Sequence, residues 1–253
     1  MLENKVILVT GASRGIGREV AKSLAKYNAT VILLSRTIKD LTTLYDEIII
    51  DGNTQPDICP FNLCSATPID YDDLRCNIMA KYGRLDGIIH NAGILGALTP
   101  IEHFDLQTWY QVLQVNLNSV LLLTQATIPL LKLAPYGSII FTLADVAKKA
   151  KANWGAYAVA SAGCQTMMQM LAQECENITK IRVNAVTPHK VNTGLRTAAY
   201  PAEHPAQLCE PKQITKPYVF LMSDASRHIN GQNFNTKNLN QHEANFECTN
   251  VIV

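Results

Sequence analysis

The feature that most constrains this chain is a glycine-rich turn set between an apolar run and an amphipathic stretch. Val6-Ile7-Leu8-Val9 carries no polar interruption, as expected of a parallel strand buried on both faces. Thr10-Gly11-Ala12-Ser13-Arg14-Gly15-Ile16-Gly17 follows, and then a helical stretch over 18–27 with Val20, Ala21, Leu24 and Ala25 at helical spacing. Glycines at such a junction let the chain turn tightly and let a pyrophosphate approach the backbone. The helix start adds unpaired N–H groups and the positive end of its dipole. Three glycines alone can form an ordinary turn; the order strand, turn, helix is what a dinucleotide cradle needs.

The same alternation continues. Strand patterns fall at 31–34, 58–63, 87–90, 138–142 and 181–186, and long helical patterns at 106–132 and 155–176. This order predicts an α/β fold: a Rossmann-type, doubly wound parallel sheet with helices on both faces. The 253 residues show no repeat or linker, so 1–253 reads as one dinucleotide-binding domain. Residues 194–217 carry four prolines and little periodicity, which predicts a long loop or a small excursion. From about 237 the chain turns polar and Asn-rich, which predicts a loosely held tail.

Composition excludes several partners. The chain has 22 Lys+Arg against 21 Asp+Glu, a formal charge of +1, so a polyanion-binding surface is not expected and nucleic acid is not a partner. The run 120–134 is broken by Thr124, Gln125, Pro129 and Lys132, so no membrane partner is expected. The first apolar run is too short for a signal peptide. Seven cysteines, at 59, 64, 76, 164, 175, 209 and 248, form no CxxC pair and no Cys/His cluster. They read as reduced thiols, mostly small core hydrophobes, in a cytoplasmic protein that holds no metal.

With the turn TGASRGIG in view, the chain resembles the short-chain dehydrogenase/reductase family, and further matches come in family order. His90-Asn91-Ala92-Gly93 is similar to the segment after the family's fourth strand, Asn116 to its helix asparagine, and Tyr157 to its active-site tyrosine. Arg182-Val183-Asn184 leads into the last long strand, and Thr193 follows at the usual distance. Within the family, the stretches 85–90, 137–142 and 152–157 most resemble the bacterial YciK-type oxidoreductases.

The resemblance implies a bound dinucleotide and an oxidoreductase acting on a carbonyl or alcohol. It places Gly11, Ser13, Arg14, Gly15, Ile16, Gly17, Arg36, Asn62, Leu63, Asn91, Ala92, Gly93, Tyr157, Pro188, Val191 and Thr193 at the cofactor. The charge pattern selects which cofactor. The second strand ends Leu34-Ser35-Arg36, with none of the acid that NAD sites set against the ribose hydroxyls. Arg36 and Arg14 together suit a 2′-phosphate, so NADP(H) is expected over NAD(H). Asn62 stands where the family resemblance leads one to expect an aspartate facing the adenine amino group; it keeps a carbonyl acceptor.

Family members use a tyrosine, a lysine four residues later, a serine about a dozen residues before the tyrosine, and an asparagine. Tyr157 and Asn116 are present as catalytic residues; Ala144 and Ser161 occupy the serine and lysine positions. An unassisted tyrosine is ionised to only about one part in a thousand at neutral pH, and losing a carbonyl donor costs roughly 10²- to 10³-fold in rate. Thr142 lies two residues too deep on the strand to replace the serine hydroxyl. Lys148, Lys149 and Lys151 precede the tyrosine, and none follows it at helical spacing. His189 and Lys190, where the family favours glycine after proline, are candidates for a new acid and a new cation.

Three readings stand: a slow or specialised NADP(H)-dependent oxidoreductase, a catalytically inactive pseudoenzyme that binds the dinucleotide or a partner, and a scaffold without nucleotide. The family also implies a homodimer or homotetramer packed through the two long helices, where Met167, Met168, Met170 and Leu171 fit an interface or a core stripe equally. It places a substrate lid at 194–217.

Overall fold

The computed structural model describes residues 2–238. Elements run β1 (Val6–Thr10), α1 (Gly15–Lys26), β2 (Thr30–Ser35), α2 (Ile38–Ile50), β3 (Asp57–Pro60), α3 (Pro68–Tyr82), β4 (Gly87–His90), α4 (Leu106–Leu113), α5 (Ser119–Leu131), β5 (Gly137–Thr142), α6 (Gly155–Cys175), β6 (Ile181–Thr187), α7 (Gly194–Ala199), α8 (Lys216–Met222) and β7 (Asn233–Asn235). The strands form one sheet in the order β3-β2-β1-β4-β5-β6-β7, and every pairing is parallel. The order reverses between β1 and β4, the crevice where open parallel sheets hold ligands.

The two faces of the sheet are read off the strands residue by residue. Leu8, Leu34, Ile88, Ile139 and Val183 point into one core with α3, α5 and α6. Their neighbours Ile7, Val9, Val31, Leu33, Ile89 and Ile140 point into the other, with α1, α2 and α8. Side chains alternate along a strand, so burial on both sides demands the uninterrupted apolar runs seen in sequence.

Several local expectations change. The strand expected at 58–63 is the short β3, and α2 and α3 were not legible as helices. The stretch 106–132 is two helices joined by a π-helical turn at Gln114–Asn118. Residues 194–217 hold α7, two short 3₁₀ turns and the start of α8. The expected tail beyond 238 lies outside the described residues. Of the six described cysteines, all unpaired, Cys164 and Cys175 are buried while Cys64, Cys76 and Cys209 are exposed. Met168 and Leu171 belong to the core and Met167 packs against it; only Met170 of that stripe is exposed. No helix among the described residues is long and apolar enough to cross a membrane, and none of them form a group of three metal-ligating side chains.

The end of β4 carries an ionisable group inside the core. His90 is buried, its Nε2 lies 3.0 Å from Thr124 Oγ1, and its ring packs on Phe141 at 5.1 Å between centroids. Burial pushes its pKa down to about 3. Between histidine's ordinary value and that one the unfolded chain binds the extra proton, so stability is complete above the ordinary value and is lost as pH falls. Denaturant unfolding should show stability declining from about pH 6 toward pH 4 by up to ~1.4 kcal/mol per pH unit from this group, and His90→Gln should remove that part of the slope. An unchanged slope in His90→Gln would contradict the assignment.

Candidate functional site

The crevice is built by two segments brought unusually close. Thr10 Oγ1 donates to Ile89 O (3.2 Å) and accepts from Asn91 N (2.9 Å) and Ala92 N (3.0 Å). Asn91 Nδ2 donates to Thr10 O at 3.1 Å. The glycine turn is thus bolted to the loop after β4, and the approach leaves no room for side chains. A Cβ on Gly17 would stand 2.4 Å from Gly11 O, and one on Gly11, whose φ is +64°, 2.9 Å from Ala92 Cα. Glycine is required by backbone contact here as well as by conformation.

The arrangement fits a bound pyrophosphate. Arg14 is the N-cap of α1, but no side chain caps the helix and no acid sits in its first turn, so the dipole and leading N–H groups are left for an anion. Thr193, itself the N-cap of α7, lies across from Gly15: a Cβ there would meet Thr193 Cγ2 at 3.3 Å. A cleft of about 540 Å³ runs beside this junction, lined by Gly15, Arg18, Thr193, Thr197 and Lys212 among others.

Farther along the sheet edge, Ser35 Oγ donates to Ser13 Oγ at 2.9 Å, holding the glycine turn against the end of β2. Arg14 and Arg36 are both exposed at this corner. Neither guanidinium has an ion-pair or hydrogen-bond partner among the described residues, unlike that of Arg18, which is held by Glu47. Leu63 is buried, and Asn62 Oδ1 accepts from Cys64 N at 3.2 Å. The acceptor expected to face an adenine therefore already closes a local turn, with one lone pair remaining.

At the other end of the crevice, Asn116 sits inside the π-helical turn. Its side chain clasps the loop after Gly93: Ile94 N donates to Oδ1 (2.9 Å) and Nδ2 donates to Ile94 O (2.8 Å). The π turn frees backbone groups from the helical ladder, and Asn116 O accepts from Cys164 Sγ at 3.1 Å. One turn earlier on α6, Ser161 Oγ accepts from Ala144 N at 3.1 Å. The residues at the family's serine and lysine positions thus bond to each other's surroundings and carry no charge toward Tyr157. Burial alone pushes the Tyr157 hydroxyl up to about 12.

Tyr157 stands in a small cluster with Ala144, Val146, Trp154, Ala199 and Tyr200. The Trp154 ring lies 5.7 Å from both Tyr157 and Tyr200. Lys151 Nζ bonds to Tyr200 Oη at 2.9 Å, so this lysine is directed at the 194–203 segment and not at Tyr157. Arg196 stacks on Tyr200, 4.0 Å from its centroid, and forks onto Glu203 at 2.6 and 2.8 Å. Thr142 Oγ1 is engaged with Tyr218 Oη at 3.1 Å, which removes it as a serine substitute.

The loop after β6 supplies one contact that the sequence reading did not find. His189 Nδ1 lies 3.4 Å from Asp145 Oδ2, and His189 N donates to Thr236 Oγ1 at 2.8 Å. Asp145 follows Ala144 directly, so an acid at the end of the fifth strand was the available signal. Lys190 adopts φ +47° and its Nζ lies 3.6 Å from Glu203. A lysine in the left-handed region costs about 1–2 kcal/mol per residue, and such strain gathers at functional loops. Pro188 precedes this pair, and Val191, buried, follows it.

These elements coincide with known proteins. The family model for short chain dehydrogenase matches residues 5–204. The chain is 40% identical over 237 residues to YciK of Escherichia coli K12, described as an uncharacterized oxidoreductase, covering 94% of this chain and 93% of YciK. Among solved structures, a short chain dehydrogenase from Shigella flexneri 2a complexed with NADP is 40% identical with a TM-score of 0.90, covering 93% of this chain and 98% of that one. Another, from Escherichia coli CFT073 and complexed with NADPH, is 42% identical with a TM-score of 0.89, covering 92% and 97%.

Proposed function

The chain belongs to the short-chain dehydrogenase family of oxidoreductases, and on that premise we propose that it is an NADP(H)-dependent member that turns over slowly on a carbonyl or alcohol. The observation that carries the cofactor half is a pair of unpartnered guanidinium groups: Arg36, directly after β2 where an NAD site keeps a carboxylate, and Arg14 at the start of α1. Two guanidinium groups beside an open helix N-terminus favour a second phosphate by charge-assisted bonds. The relatives complexed with NADP and NADPH support the same choice.

The residues present fit that cofactor along its length. Gly11, Ser13, Arg14, Gly15, Ile16 and Gly17 would hold the phosphates, with Thr193 opposite. Arg36 would hold the 2′-phosphate, Asn62 and Leu63 the adenine, and Asn91, Ala92 and Gly93 the adjoining ribose. Pro188, Val191 and Tyr157 would border the nicotinamide, and residues 194–217 would close over the substrate as part of the one domain. NADPH, when bound, supplies the hydride; the protein must orient the carbonyl, protect it from water and deliver a proton.

That last task explains the expected slowness. With Ala144 there is no hydroxyl beside the carbonyl, and with Ser161 no cation beside Tyr157. At a pKa of about 12, Tyr157 is ionised in only about one molecule in 10⁵ at neutral pH, which makes it a poor base for alcohol oxidation. The Ser161–Ala144 and Cys164–Asn116 bonds favour a second reading, in which the catalytic half has been repacked and the protein acts as a dinucleotide-binding module or interaction partner.

Two experiments separate these. Arg36→Asp should weaken NADPH binding far more than NADH binding; equal losses would remove Arg36 from the 2′-phosphate site. Ala144→Ser combined with Ser161→Lys should raise NADPH-dependent reduction of simple ketones by ~100-fold or more. No gain in a variant that still binds NADPH would mean the substrate end has been rebuilt.

A further inference from the structure

We propose that Asp145 and His189 form a replacement acid–base dyad, in which the His189 imidazole, oriented by Asp145, exchanges the proton with the substrate oxygen. The inference rests on the NADP(H)-oxidoreductase reading above and adds a catalytic residue that the family's four-residue set does not contain.

Position is the first argument. β5 and β6 are adjacent and parallel, with Thr142 opposite Val186 and Leu143 N bonded to Val186 O at 2.9 Å. Asp145 and His189 therefore leave the sheet side by side at its carboxyl edge. Asp145 is bonded to Ala144, whose side chain packs in the cluster that contains Tyr157. The dyad thus borders the place where the missing serine hydroxyl would have met the carbonyl.

Orientation is the second. His189 is held at three points: its N–H by Thr236, its Nδ1 by Asp145, and its backbone between Pro188 and the left-handed Lys190. A carboxylate on one ring nitrogen fixes the tautomer and leaves the other nitrogen for chemistry. His189 Nε2 has no partner among the described residues. The side chain is 29% exposed, enough to exchange protons with solvent between turnovers.

Acidity is the third. An acid–base catalyst works best when its ordinary pKa lies near the working pH, which a histidine meets and a buried, unassisted tyrosine does not. Asp145 meets His189 directly; the charged groups next along are Lys190, which follows it and pairs with Glu203, and Arg196, which reaches Asp145 and also pairs with Glu203. Arg196 feels Asp145 electrostatically but is itself forked onto Glu203, which leaves the Asp145 carboxylate available to His189.

The step balances. In reduction the carbonyl carbon takes the hydride given up by NADPH, the oxygen takes the proton from His189 Nε2, and NADP⁺, alcohol and neutral imidazole remain. Solvent then returns the proton to the imidazole. Alcohol oxidation runs the same transfers backwards.

The test uses the full-length protein with NADPH and benzil as an activated carbonyl, and separately with diethyl pyrocarbonate as a histidine label. Wild-type NADPH oxidation should fall as pH rises, because the proton donor in reduction is the imidazolium. His189→Gln should lower the rate by ~100-fold or more and abolish that pH dependence while NADPH binding persists. Asp145→Asn should lose part of the rate, and Asp145→Glu should restore it. Tyr157→Phe should lose less than His189→Gln. NADPH should shield His189 from carbethoxylation, read by peptide mass spectrometry. The dyad is overturned if NADPH binds and His189 labels equally with and without it, if Tyr157→Phe loses more than His189→Gln, or if NADPH-bound wild type does not reduce benzil at all. Failure of NADPH to bind would instead overturn the cofactor reading on which the dyad stands.

Discussion

The carboxyl edge of this sheet depends on how closely the Gly11 turn approaches the loop after β4. Thr10 bonds to Ile89, Asn91 and Ala92, and the Asn91 side chain returns to the carbonyl of Thr10. Those contacts close the gap at the reversal of strand order, so that only glycine fits at 11 and 17. They also fix where α1 begins, and so where its unpaired N–H groups are presented. Moving either segment would cost backbone hydrogen bonds whose buried partners cannot turn to water.

From that fixed point the two halves of the crevice diverge. The nucleotide half keeps what an anionic ligand needs: an uncapped helix start, unpartnered arginines and a close backbone. The other half is held by uncharged contacts, with Ser161 bonded to the Ala144 backbone and Cys164 to the Asn116 carbonyl. The side chain there that meets a carboxylate is His189, whose Nδ1 lies 3.4 Å from Asp145 Oδ2. The open anion-facing groups and the Asp145–His189 contact thus sit on different segments, so one can persist while the other changes.

The fold was largely legible in the sequence because buried parallel strands write themselves as apolar runs. Val6 to Val9, Val31 to Leu34 and Gly87 to His90 each appear in the sheet close to the expected bounds. The failures have physical causes. Residues 68–82 mix three aspartates with apolar residues on both faces, Ile69 and Met79 outside and Tyr71, Leu74 and Ile78 inside, so no single stripe marks a period, and 38–50 ends in three isoleucines that suit a strand as well as a helix. The edge strand at 233–235 offers one apolar residue, Phe234, between two asparagines, too short a pattern to mark a strand.

At the site, residue types foretold less than geometry. The sequence singled out Tyr157, Asn116 and the glycines, but it could not show that Asn116 lies in a π turn clasping Ile94. Nor could it show that the Asn62 acceptor closes its own turn. Such contacts depend on which backbone groups the ladder leaves free, and composition does not record that.

The central claim is that the crevice holds a dinucleotide with a 2′-phosphate. Titration of the wild-type protein with NADPH and NADH, followed through Trp154, tests it most directly, since that ring lies 5.7 Å from Tyr157, the residue proposed to border the nicotinamide. Saturable quenching at lower concentration with NADPH than with NADH is the expected result. Binding of neither nucleotide at about millimolar concentration, equivalent to less than ~4 kcal/mol, would contradict the account and leave a sheet whose glycine cradle serves no ligand of this class.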